Sequence, residues 1–118
     1  MAPADKIVIG LPFYTKLWVE EPIAGTSSYN LSVQTVRMDE AEKLLGENNA
    51  TPTLDEEVGE YFATFEKDGK RLSIWLENKY SLDQKLQLMK DNNIAGCAFW
   101  KLTQENTDIW VMIESYVN

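Results

Sequence analysis

Histidine is absent from all 118 residues, which removes Ser-His-Asp and Cys-His nucleophilic chemistry and every histidine-ligated metal site. Cysteine occurs once, at Cys97, so no disulfide can close within the chain. Its apolar setting, Ala95-Gly96-Cys97-Ala98-Phe99, reads as an inert core thiol rather than a nucleophile. Long apolar runs are missing as well: none approaches the roughly 20 residues that a membrane span requires. The opening Met1-Ala2-Pro3-Ala4-Asp5 has neither the basic nor the apolar region of a signal peptide. Basic charge is scarce, with 11 Lys and Arg against 19 Asp and Glu and a net charge of -8. Phosphate backbones and anionic lipids would be repelled, so neither nucleic acid nor membrane is expected as a partner, while neutral sugars remain open. No motif calls for a metal or any other cofactor.

What is present fits one folded domain. The hydrophobic share of 44% and charged share of 25% are ordinary for a globular chain of this length. Ile7-Val8-Ile9-Gly10-Leu11 and Ala95-Gly96-Cys97-Ala98-Phe99-Trp100 are short continuous apolar runs, the pattern of strands buried on both faces. Strands of that kind belong to parallel sheets flanked by helices, yet only two occur, more than eighty residues apart. A closed (β/α)₈ barrel needs roughly 250 residues, so the pair is expected to be neighbouring strands of an incomplete barrel. Unpaired strand edges of this sort predict self-association, and hence a homo-oligomer.

Between the two runs the pattern is α+β. Asp39 with Glu42 suggests a capping box opening a helix to about Asn48, with Ala41, Leu44 and Leu45 facing inward. Segments 61–67 and 70–76 flank Asp68-Gly69, the dipeptide of a two-residue type I′ hairpin turn. That register sets Phe65 against Leu72, Ala63 against Ile74 and Tyr61 against Leu76, an apolar face. The other face, Glu66 with Arg71, Thr64 with Ser73 and Phe62 with Trp75, is polar except for one aromatic pair, which a helix of the insert is expected to cover. Ser81 with Gln84 suggests a second capping box, for a helix carrying Leu82, Leu86 and Met89 on one side and ending at Asn92-Asn93. A last helix, from about Thr107 to Val117, aligns Ile109, Met112, Ile113 and Tyr116.

In such barrels the functional face lies at the carboxyl ends of the strands. Phe13-Tyr14-Thr15-Lys16-Leu17-Trp18 follows the first strand there, as a loop, and Trp100-Lys101 closes the second. Pyranose rings offer apolar C–H faces ringed by hydroxyls, so a sugar site needs a flat aromatic platform and a few hydrogen-bonding groups. Trp100, Tyr14 and Lys16 supply that mixture. The plainer readings are that Trp100 is core and that Tyr14 and Trp18 are loop anchors.

The segment from Asp5 to Tyr14 resembles the seventh barrel strand of family-18 glycoside hydrolases, the chitinases and related N-acetylglucosaminidases. Ile74-Trp75-Leu76-Glu77-Asn78, then Ser81 and Lys85, then Ile94 to Trp100, resemble the approach to strand eight and strand eight itself. The stretch between is similar to that family's insertion domain. The resemblance implies an α+β chain, a chitinase-insertion-type domain plus the last two β/α units of an incomplete (β/α)₈ TIM barrel, with 1–18 and 81–118 barrel-derived and 19–80 the insertion. It implies that Trp100 floors the subsite of the sugar to be cleaved and that Tyr14 lines the same cleft. Where the family often has Gly-Arg after that Tyr, this chain has Thr15-Lys16, which keeps the charge and loses the planar fork. Glu77 and Lys85 match structural positions of the pattern.

Family-18 catalysis uses the substrate's own N-acetyl group as nucleophile, assisted by an acid in an Asp-x-Asp-x-Glu run. No such run occurs here, since Asp55-Glu56-Glu57 lacks the alternation. No catalytic residue is therefore assigned, and the chain alone is expected to be inactive. The expected partner is an N-acetylglucosamine-containing oligosaccharide or polysaccharide, chitin or peptidoglycan, with a bacterial parent that is extracellular, in the cell wall or spore-associated. The other reading is a non-catalytic carbohydrate-binding or protein-interaction module.

Overall fold

The computed structural model describes residues 1–117, as two packed units end to end. Its radius of gyration, 16.9 Å, exceeds the roughly 13–14 Å of a compact chain of this length, and its extents are 56 × 33 × 25 Å. The first unit holds β1 (Val8–Pro12), α2 (Lys79–Asp91), β7 (Gly96–Trp100) and α3 (Asp108–Val117). β1 and β7 pair in parallel, from Val8 opposite Gly96 to Pro12 opposite Trp100, so the two apolar runs are neighbours as expected. Ile9 and Leu11 of β1, with Cys97 and Phe99 of β7, pack against Leu82, Leu86 and Met89 of α2 and Ile109 and Ile113 of α3. The opposite face was expected to be buried too and is not: Val8 is 61% and Trp100 70% exposed, and Gly10 and Ala98 lie open between them.

The second unit is a five-stranded antiparallel sheet in the order β3-β2-β6-β5-β4, from β2 (Tyr14–Pro22), β3 (Tyr29–Arg37), β4 (Thr53–Asp55), β5 (Glu60–Lys67) and β6 (Lys70–Leu76), with α1 (Met38–Glu47) on one face. The hairpin has the expected register throughout, and Asp68 (φ 53°) and Gly69 (φ 74°) take the two positive φ values that a type I′ turn demands. Ala41 and Leu45 of α1 close over Leu17, Ala63, Leu72, Ile74 and Leu76. Full burial of such a side chain contributes about 1.5–3 kcal/mol.

Three expectations need correction. Residues 14–18, expected as a loop, are the first half of β2 and belong to the five-stranded sheet. There Thr15, Leu17 and Val19 turn toward α1, and Tyr14, Lys16 and Trp18 turn away. Among the described residues no helix covers Phe62 and Trp75: α1 occupies the other face, and Trp75 remains 38% exposed. Both helix starts are also shifted. The Glu40 carboxylate accepts from the Arg37 N–H at 3.0 Å, in place of an Asp39–Glu42 box. Asn78 caps α2, its Oδ1 accepting from the Tyr80 and Ser81 N–H groups, while Ser81 Oγ accepts from the Asn78 N–H. Asn serves as well as Ser at an N-cap, which leaves Ser81 for the reciprocal position.

Candidate functional site

Pairing of β1 with β7 brings Pro12 and Trp100 side by side at the carboxyl ends of the strands. The next residue, Phe13, locks this corner. Its N–H donates to the Trp100 carbonyl at 2.7 Å, and its fully buried ring stacks on Phe99 at 4.5 Å and meets Trp110 edge-on at 5.5 Å. The backbone beneath Trp100 is thus fixed while its indole projects into solvent in this chain. The peptide joining Trp100 to Lys101 is cis.

Trp100 and Tyr14 line one cleft of about 260 Å³ with Gly10, Pro12 and Ala98, whose small side chains leave the floor open. Lys16 does not line it. Its Nζ stands 5.0 Å from the Tyr14 ring centroid and donates to Thr35 Oγ1 at 2.6 Å, leaving two of its three protons for another acceptor. The expected residues therefore form a chain of contacts, Trp100 and Tyr14 in the cleft and Lys16 just behind. No carboxylate, thiol or hydroxyl other than that of Tyr14 lines the cleft among the described residues, so its surface suits ring stacking rather than proton transfer. A larger cavity, about 670 Å³, opens at the opposite, amino-terminal end of β7 between α2 and α3. It lacks an exposed flat ring, and the hydroxyl of Tyr116 on its wall is already committed to Asp83. Burial there pushes the Cys97 thiol up, which favours its protonated form.

A buried polar cluster joins the two units behind the cleft. Glu77, only 4% exposed, accepts from Ser81 Oγ at 2.5 Å through one oxygen and from Lys85 Nζ at 2.6 Å through the other. Lys85 also donates to Glu60 at 2.5 Å, and Thr15 Oγ1 accepts from the Glu77 N–H at 3.0 Å. Burial pushes the Glu77 carboxyl up, against the opposing pull of its bonds to Lys85 and Ser81. Burial works to lower Lys85, and the two carboxylates overcome it and hold the ammonium above its ordinary value. The Glu77 shift favours a neutral pair and the Lys85 shift a charged one. Two carboxylates in contact with one ammonium favour the charged form. Thr15 was invisible as a site residue in the sequence. It stands where the Gly-Arg pattern has glycine, and it ties β2 to the entrance of α2.

Residues 1–105 match the model of the glycosyl hydrolases family 18. The chain is 26% identical over 117 residues to the cortical fragment-lytic enzyme of Bacillus subtilis, covering 98% of this chain and 26% of that protein. Among solved structures it is similar to the spore cortex-lytic enzyme SleL of Bacillus megaterium, with a TM-score of 0.83 and 21% identity, over 98% of this chain and 26% of that one. It is also similar to a chitinase of Chromobacterium violaceum, with a TM-score of 0.81 and 21% identity, over 98% and 34%. The chain thus spans between a quarter and about a third of the length of these relatives.

Proposed function

We propose, because this chain belongs to family 18 of the glycosyl hydrolases, that it forms one wall and part of the floor of the saccharide cleft of a hydrolase of N-acetylglucosamine polysaccharides, chitin or peptidoglycan. Trp100 is the stacking floor, Tyr14 lines the cleft, and Lys16 presents a cation just behind Tyr14. The observation that carries this reading is the Trp100 indole, 70% exposed yet anchored through its own carbonyl, beside Tyr14 in a cleft without carboxylates. Flat rings with few polar neighbours hold sugars without cleaving them. The acid that protonates the leaving oxygen therefore belongs to residues outside these 118, since the Asp-x-Asp-x-Glu alternation is not among them. The parent works at the bacterial spore cortex or cell wall, a reading supported by its likeness to a cortical fragment-lytic enzyme and a spore cortex-lytic enzyme.

Incubation of the chain with chitotetraose or purified peptidoglycan should release no new reducing ends. Turnover in the absence of any other chain would overturn the assignment of the chemistry to other residues. The second reading, a carbohydrate-binding module with no hydrolase around it, draws on the same carboxylate-free cleft. Fusion to the amino-terminal remainder of a relative's barrel should generate hydrolysis under the first reading and leave binding alone under the second. The β1–β7 pair also leaves two unpaired edges, which should bring copies of the chain together. A monomeric sedimentation profile at high concentration would count against that.

A further inference from the structure

The five-stranded sheet buries one face under α1 and leaves the other open, and the two halves of that open face differ. Its outer rows run from Val33 through Trp18 to Ser73 and Thr64, and from Leu31 through Glu20 to Arg71 and Glu66, so the aliphatic side chains stand on the β3 edge alone. Its inner half, where β2 leaves β1 and β6 leads into α2, carries flat rings among hydroxyls. Lys16 of β2 lies opposite Trp75 of β6, and Trp75 lies opposite Phe62 of β5. The Phe62 and Trp75 rings sit 4.7 Å apart, tilted by 42°, and Trp75 is 38% exposed. Thr35 borders Lys16, and Thr64 and Ser73 border the ring pair with their hydroxyls 3.5 Å apart. Tyr14, which lines the cleft, is on the same face of β2 two residues before Lys16. Neighbouring strands stand roughly 4.8 Å apart, so Trp100, Tyr14, Lys16, Trp75 and Phe62 form one course from the cleft across β2, β6 and β5.

We infer that Trp75 and Phe62 form a second sugar-stacking platform, which takes further residues of an N-acetylhexosamine oligomer running out of the Trp100–Tyr14 cleft past Lys16. The inference rests on the cleft reading for its starting point. Its own support is the continuity of the course and the composition of its row, Thr35, Lys16, Trp75 and Phe62, flat rings beside hydroxyl and ammonium donors with no aliphatic side chain among them, which suits a pyranose better than an apolar protein surface.

The test is calorimetric titration of the chain with chitobiose and with chitohexaose, using Trp75→Ala, Trp75→Leu and Trp100→Ala. Trp75→Leu keeps apolar bulk on the sheet and removes only the flat ring. Both Trp75 variants should bind chitohexaose about tenfold more weakly, or 1.4 kcal/mol, with chitobiose affinity unchanged, whereas Trp100→Ala should weaken both. Unchanged chitohexaose affinity in both Trp75 variants, with both ligands weakened by Trp100→Ala, would overturn the platform and leave the cleft standing. Weakening by the Trp75 variants alone would keep the platform and remove the cleft. Failure of the unmodified chain to bind either sugar would overturn both.

Discussion

The two units of this chain solve the same burial problem to different degrees. The five-stranded insert seals one face beneath α1 and leaves the other to solvent, an arrangement antiparallel sheets tolerate. The β1–β7 pair also has one sealed face, against α2 and α3, but parallel strands are ordinarily covered on both. That difference supports the proposed position of the sugar site. The uncovered face of the parallel pair ends in Trp100, and the inner half of the uncovered insert face continues from it, so both exposed surfaces converge on one cleft.

Substitutions should separate the sealed faces from the open ones. The largest effect is expected at Ile74, fully buried under α1: Ile74→Ala should cost about 2–5 kcal/mol in urea unfolding. Lys85→Met follows, at about 3 kcal/mol, the lower end of what removing one partner of a buried pair costs, because 27% of the Lys85 side chain still reaches water. Since Lys85 ties Glu60 of the insert to Glu77 at the mouth of α2, we propose that the two units melt together as one domain. In Lys85→Met, far-ultraviolet dichroism and Trp fluorescence should cease to report a single transition. Coincident transitions in that variant would deny the junction its coupling role.

The pH dependence follows from the direction of the Lys85 shift. A raised ammonium contributes stability that is fully present below the ordinary lysine value of 10.5 and is lost as pH rises through its higher folded value. The advantage of the unmodified chain over Lys85→Met should therefore persist through neutrality and shrink above 10.5. Glu77, shifted upward, acts in the other sense: its contribution is favourable below 4.5 and is lost as pH rises through its folded value, a cost that Lys85 offsets at neutrality. The smallest effect belongs to the open face, where Val8→Ala should change stability by less than about 0.5 kcal/mol. A loss comparable with that of Ile74→Ala would mean that the face is covered after all.

Legibility in the sequence tracked which side chains enter a core. The β5–β6 register was readable because Asp68-Gly69 admits one turn and every second residue is apolar. β1 and β7 were readable as short apolar runs, and the carboxyl-end rule pointed to Trp100 and Tyr14, which the structure sets in one cleft. The β2–β3 hairpin was not. Leu31 and Val33 of β3 alternate as a strand should but point to solvent, and a polar Thr15 holds the inward position next to Leu17. The open platform at Phe62 and Trp75 was hidden for a related reason. An aromatic pair on a strand predicts cover, and only the placement of α1 on the other face decides against it.

All of this rests on the Trp100 indole as the floor of a sugar site. The most direct test follows the four Trp indole N–H resonances of the labelled chain by NMR, with Trp100 assigned through Trp100→Phe, as chitotetraose is added. A saturable shift is expected at Trp100, with Trp110, held by Glu105 beneath the corner, unmoved. A Trp100 resonance that stays in place at saturating chitotetraose would contradict the account.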